Sequence, residues 1–191
     1  MPLLRPLLLI LPLLLPTFAT AQTFQVTTDV NDVTGVRRTV SADLRPLPTS
    51  SYPGSHAAFR AIHEQDPDEG TSWELVLFGY APDTTAMSRT TQVRLQADGK
   101  EMTPSRIVSR TRPMRKTLVE IKRVGLTHSQ FEQVAQADSV TVVIGSVQFD
   151  LSRVRRTDMR LILDRVSSSP PPQRALDTGT TDTSATPNGD D

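Results

Sequence analysis

The clearest hydrophobic pattern of the chain lies in residues 71–80, TSWELVLFGY, where apolar side chains occupy both alternating sets of positions. One set contains Trp73, Leu75 and Leu77, and the other contains Glu74, Val76, Phe78 and Tyr80. Because side chains of a strand alternate between the two faces of a sheet, both faces of this strand need cover. The pattern predicts the central strand of the core.

Turn-forming residues divide the chain before this strand into short segments. Residues 23–28 and 36–44 alternate apolar and polar positions, which predicts an N-terminal hairpin. Proline and serine in 45–55 predict a loop. The alternation in 56–65 favours a strand, with a short helix as the alternative, and an acidic turn at 66–70 leads into the central strand.

Two further hairpins are predicted after the central strand. Residues 90–97 form a half-buried strand that turns at Asp98-Gly99, a strong hairpin signal, into residues 100–103. Residues 106–111 and 117–124 form the second pair, with a turn around residues 113–116.

The hydrophobic period then changes from two residues to that of a helix. Thr127 and Gln130 fit a capping box, and the residues that follow place an apolar face at helical spacing. A hairpin at 140–151 turns at Gly145-Ser146, and Ser152 is predicted to cap a last helix over 153–166.

About eight turn-linked strands with one late helix and one C-terminal helix predict an α+β fold. Strands that are joined by short turns pair antiparallel. We therefore expect a mostly antiparallel, strongly curved sheet or partly open barrel that the two helices cover.

Both ends of the chain predict segments outside this domain. Residues 1–21 combine Arg5, an apolar run and an Ala-x-Ala site, which is typical of a secretory signal peptide. The run is too short and too interrupted by proline to predict a membrane anchor. Residues 167–191 are rich in Ser, Thr, Pro and Asp and predict a disordered tail. A single domain is expected over 22–166, in a periplasmic or secreted protein.

Composition removes several kinds of chemistry. The chain contains no cysteine, so disulfides, thiol catalysis and thiolate metal sites are excluded. Its formal net charge is zero, which does not favour nucleic acid as a partner. Phosphate-binding loops, HExxH and GxSxG are absent from the sequence. No catalytic residue, cofactor or metal is predicted.

The order of segments from Trp73 to Leu163 carries a resemblance. It includes QADGK, VEIKR and LTHSQFEQVAQADSVTVVIGSVQFDLS, followed by a charged helix. This order resembles small exported bacterial proteins, mostly uncharacterised, over about half of the chain. The resemblance implies an exported single domain and transfers no catalytic residue.

Two groups of residues are candidates for function. His63 precedes Asp66 and Asp68, which suggests a metal-dependent or hydrolytic site, although the same residues fit a solvated acidic turn. The densest charge feature is a run of cations opposed by Glu120 alone: Arg106, Arg110, Arg112, Arg115, Lys116, Lys122 and Arg123.

On an extended strand Arg106, Arg110 and Arg112 share one face, which suits lipid headgroups, acidic glycans or the carboxylates of a partner. The alternative is a solvated edge hairpin whose charges prevent aggregation. With Arg115 and Lys116, these three arginines are the predicted binding residues.

The sequence thus favours an exported, non-enzymatic binding or structural module of the cell envelope. Its expected partner is an anionic envelope component or another exported protein. Nucleic acid is not expected as a partner, nor is a transmembrane segment after signal removal. The alternative is a small hydrolase or metal-dependent enzyme that uses His63 and nearby carboxylates.

Overall fold

The computed structural model describes residues 25–47, 56–82, 87, 90, 92–145 and 147–168. These residues form eleven strands and two helices, which confirms the predicted α+β class. The strands are β1 Val26–Val30, β2 Arg37–Ser41, β3 Arg45–Pro46, β4 His56–Asp66, β5 Gly70–Ala81, β6 Val93–Ala97, β7 Lys100–Met102, β8 Arg106–Met114, β9 Thr117–Leu126, β10 Val140–Ile144 and β11 Val147–Asp150. The helices are α1 His128–Gln136 and α2 Thr157–Ser167.

The strands divide into two antiparallel sheets. The large sheet has the order β1-β2-β4-β5-β9-β8, with β3 also paired to β4, and the small sheet has the order β11-β10-β6-β7. The predicted single, strongly curved sheet or partly open barrel is not confirmed, because the strands separate into two sheets and neither closes on itself. Both edges of β5 are occupied by β4 and β9, so β6 pairs with β10 instead.

Strand β5 is the centre of the large sheet, as predicted. It pairs with β4 from Gly70 to Tyr80 and with β9 from Trp73 to Ala81. Residues 56–65 are confirmed as a strand, because β4 pairs along its whole length with β5. The predicted hairpins β1–β2, β6–β7, β8–β9 and β10–β11 are also confirmed.

The core lies on one side of the large sheet. Trp73, Leu75 and Leu77 of β5 join a single buried cluster with apolar side chains of the small sheet and of both helices. The ring of Trp73 lies 4.9 Å from that of Phe131 on α1, which fixes this helix against the sheet. The small sheet and the helices together therefore cover the core side of β5.

The first helix begins as predicted, whereas the second begins later than expected. Thr127 caps α1 through a complete capping box with Gln130. Ser152 does not cap α2, because its hydroxyl accepts from the backbone nitrogen of Arg155 in a preceding turn. Arg156 occupies the position before Thr157 with a non-helical backbone, and its side chain donates to the backbone oxygen of Val134 near the end of α1.

The predictions for residues 1–21 and for the tail after residue 168 lie outside the described residues. Ser167, the first residue of the predicted tail, is the last residue of α2.

Candidate functional site

Strand β8 is an edge of the large sheet and carries the predicted basic hairpin. It pairs with β9 from Arg106↔Gly125 to Met114↔Thr117. The pairing continues through Pro113, so the turn is shorter than predicted and consists of Arg115 and Lys116. All five predicted binding residues are exposed.

The register confirms that three arginines of β8 share one face of the sheet. Arg106, Arg110 and Arg112 lie opposite Gly125, Ile121 and Val119 of β9. These β9 residues lie in turn opposite Glu74, Phe78 and Tyr80 of β5. We call this side of the large sheet the outer face. It points away from the core, since Trp73, Leu75 and Leu77 occupy the other side.

Arg106 forms an ion pair with Glu74 on the outer face. Glu74 is 1% exposed, and its two carboxylate oxygens accept from Arg106 at 3.3 Å and from Arg123 at 2.5 Å. The buried carboxylate thus gains two cationic partners, which offsets the cost of its burial. Arg106 is therefore a structural residue here rather than a freely available ligand for an anion.

The remaining four cations of the hairpin have a different environment. Arg110, Arg112, Arg115 and Lys116 are exposed, and none of them forms a salt bridge with an acidic side chain of the described residues. They occupy the end of β8 and the turn that follows it. We call these four residues the basic tip.

Apolar and aromatic side chains accompany the basic tip on the outer face. The rings of Phe78 and Tyr80 are nearly parallel, with centroids 6.5 Å apart, and both side chains are half-buried. Burial raises the pKa of Tyr80, with a smaller opposing effect from Arg60. At the end of β8 the side chain of Met114 is 56% exposed. The surface around the basic tip is therefore amphiphilic.

Lys122 and Glu120 do not belong to this surface, although they lie in the same charged run of the sequence. Both are buried on the core side of β9, at 2% and 3% exposure. The Nζ of Lys122 donates to the backbone oxygen of Thr90 at 2.7 Å and to the hydroxyl of Ser109 at 2.9 Å. Burial lowers the pKa of Lys122, and the nearby Glu120 carboxylate opposes this change.

The structure does not assemble the alternative site around His63. His63 is 2% exposed, and its ring lies 4.3 Å from that of Trp73. Burial lowers the pKa of His63 to about 4, with a smaller contribution from His128. Asp66 lies on the opposite face of β4 from His63. Its Oδ1 accepts hydrogen bonds from the backbone nitrogens of Asp68 and Glu69. In the acidic turn, the Asp66 carboxylate is thus used to accept hydrogen bonds from the backbone of the turn itself.

Metal-binding clusters and clefts were the other candidates for a site among the described residues. The described residues contain no group of three or more His, Asp or Glu side chains that is placed to hold a metal ion. A cleft of about 600 Å³ lies between β1 and α2, and one of about 320 Å³ lies beside Arg38 and Glu64. Neither of these two clefts is lined by a histidine.

Comparison of the chain with protein-family models, curated proteins and solved structures finds no match. The resemblance to small exported bacterial proteins stays a prediction for this reason. Among the described helices, neither is long and apolar enough to cross a membrane.

Proposed function

We propose that the protein is an exported, non-enzymatic module that binds an anionic component of the cell envelope through the basic tip. The observation that carries this proposal is the contrast between the four exposed cations of the tip and the arginines that the fold uses internally. Export is part of the proposal because residues 1–21 have the pattern of a signal peptide.

Electrostatics favours an anion at this position. Arg110 and Arg112 project from the same face of one strand, about 7 Å apart along the chain, and Arg115 and Lys116 follow at the turn. A guanidinium group can bind a phosphate or carboxylate through two parallel hydrogen bonds. Like charges held this close raise the energy of the free protein, and a bound anion relieves that repulsion.

Protection of the sheet edge is the competing explanation for these charges. Edge strands commonly carry lysine, proline or inward-pointing charge to prevent pairing with another chain. In β8, however, Pro113 already removes one backbone donor near the end of the strand. Arg115 and Lys116 lie in the turn, beyond the paired residues, where they do not shield the edge.

The test compares two double variants of the full chain that lose the same charge. Arg110→Ala/Arg112→Ala changes the basic tip, and Arg94→Ala/Lys100→Ala removes two exposed cations of the small sheet. Retention on immobilised acidic phospholipid and on an acidic polysaccharide is measured at low and high salt. We expect the first variant to lose about tenfold or more in affinity for at least one of these surfaces.

The control variant should bind like the wild type, because its charges lie on the other sheet. Equal losses in the two variants would show that only net charge matters. A wild-type protein that binds neither surface at low salt would remove the proposal altogether.

A further inference from the structure

Met114 is an exposed apolar residue within a basic environment. Its side chain is 56% exposed, and it lies at the end of β8, directly before Arg115 and Lys116. By the alternation of the strand, Met114 shares the outer face with Arg110 and Arg112. Transfer of a large apolar side chain from water into an apolar phase lowers the free energy.

Arg115 has a backbone conformation that favours glycine. Its φ angle is +56°, which places it in the left-handed region. Two-residue hairpin turns commonly use Gly, Asn or Asp at such positions, because other side chains crowd the backbone there. The chain nevertheless has arginine at this position. Local strain of this kind is found most often at functional sites.

We propose that the β8–β9 hairpin docks on an anionic lipid bilayer, with Met114 inserted at the interface and the basic tip against the headgroup phosphates. This inference rests on the proposed function, and it names the anionic component as lipid. The bilayer supplies both parts of the complement, since a plane of negative charge lies directly above an apolar phase.

An acidic glycan or an acidic protein surface satisfies fewer of the observations. Either would neutralise the arginines, but a hydrated glycan offers no apolar environment for Met114. On the outer face, the half-buried aromatics Phe78 and Tyr80 lie in the same cross-strand rows as Arg110 and Arg112. Tyrosine and cationic side chains together are typical of the bilayer interface, where one end of the side chain is apolar and the other is hydrated.

Insertion is tested directly with a polarity-sensitive fluorophore. The chain contains no cysteine, so Met114→Cys creates a single labelling site. Val33→Cys is the matched control, because Val33 is 94% exposed and lies outside the hairpin, in the turn between β1 and β2. Labelled full chains are mixed with vesicles of phosphatidylglycerol and phosphatidylcholine, or with vesicles of phosphatidylcholine alone.

We expect the emission of the label at position 114 to shift to shorter wavelength with the anionic vesicles only, while the label at position 33 does not shift. Because both proteins carry the same N-terminal residues, any membrane binding by those residues affects both alike. A label at position 114 that stays in a polar environment while the protein binds the vesicles would overturn the inference and leave the proposed function intact.

Unlabelled variants separate the apolar contribution from the charges. In vesicle sedimentation, Met114→Ser should weaken binding about tenfold, whereas Val33→Ser should not change it. Arg115→Gly should weaken binding by about fivefold, yet raise Tm, because glycine relieves the left-handed conformation. Binding to the acidic polysaccharide but not to the vesicles would favour a glycan and refute the lipid assignment.

Discussion

Acidification from pH 7 to pH 5 is expected to destabilise the fold through His63. Burial holds the pKa of this side chain at about 4, against an ordinary value of 6.5. The ring packs against that of Trp73 and lies on the core side of β4, opposite Thr39 of β2. Its Nδ1 is buried without a hydrogen-bond partner among the described residues, so a proton there meets no compensating acceptor.

The lowered pKa of His63 determines the direction in which the free energy of unfolding changes with pH. Between pH 6.5 and pH 4 the unfolded chain binds a proton at His63 while the folded chain does not, so the free energy of unfolding falls as the pH falls. One pKa unit corresponds to about 1.4 kcal/mol, so the loss is about 2 kcal/mol at pH 5 and reaches about 3 kcal/mol at pH 4. For a protein with ordinary stability this is a substantial fraction of the total.

The assay is urea denaturation, followed by tryptophan fluorescence, at a series of pH values between 7 and 5. His63→Phe retains a ring against Trp73 and removes the titrating group, so its stability should fall less over this range than that of the wild type. His56→Phe, at an exposed position of the same strand, serves as the control. Parallel pH profiles for wild type and His63→Phe would refute the assigned cause.

Two further predictions concern buried charges. Arg156→Met should lower the free energy of unfolding by about 3 kcal/mol or more, because the guanidinium donates to five backbone oxygens at the end of α1 and after β11; Arg153→Met, at an exposed position, should have little effect in the same denaturation assay. Asp158→Asn should cost about 3–5 kcal/mol, since it removes the negative charge of the buried carboxylate that pairs with the guanidinium of Arg45. The double variant Arg45→Met/Asp158→Leu should recover much of that loss, and failure to recover would place the cost outside the pair.

Most elements of the fold could be predicted from local pattern. Alternation in residues 56–65 and 71–80 predicts two long strands, and the Asp98-Gly99 turn predicts a hairpin, because these signals depend only on neighbouring residues. The division into two sheets could not be predicted in this way. It depends on which strands pair with the two edges of β5, and the competing strands lie far apart in the chain.

Contacts between distant segments also limit what can be predicted about the run of cations from Arg106 to Arg123. Alternation placed Arg106, Arg110 and Arg112 on one face, as the register confirms. Alternation does not predict that Arg106 pairs with Glu74, because this contact reaches from β8 across β9 to β5. Lys122 belongs to the same charged run in the sequence, and only its position opposite Leu77 shows that it faces the core.

Some described arginines stabilise the fold from within and others are exposed, and the candidate site is the place where exposed cations cluster beside Met114. Arg45 and Arg156 are buried, and each donates several hydrogen bonds to groups that would otherwise be unsatisfied. Removal of either therefore changes stability. The basic tip makes no salt bridge within the described residues, so replacement of Arg110 or Arg112 by alanine should leave stability nearly unchanged. Charges that stabilise nothing in the folded chain are the ones available to a partner, and at the basic tip they surround an exposed methionine.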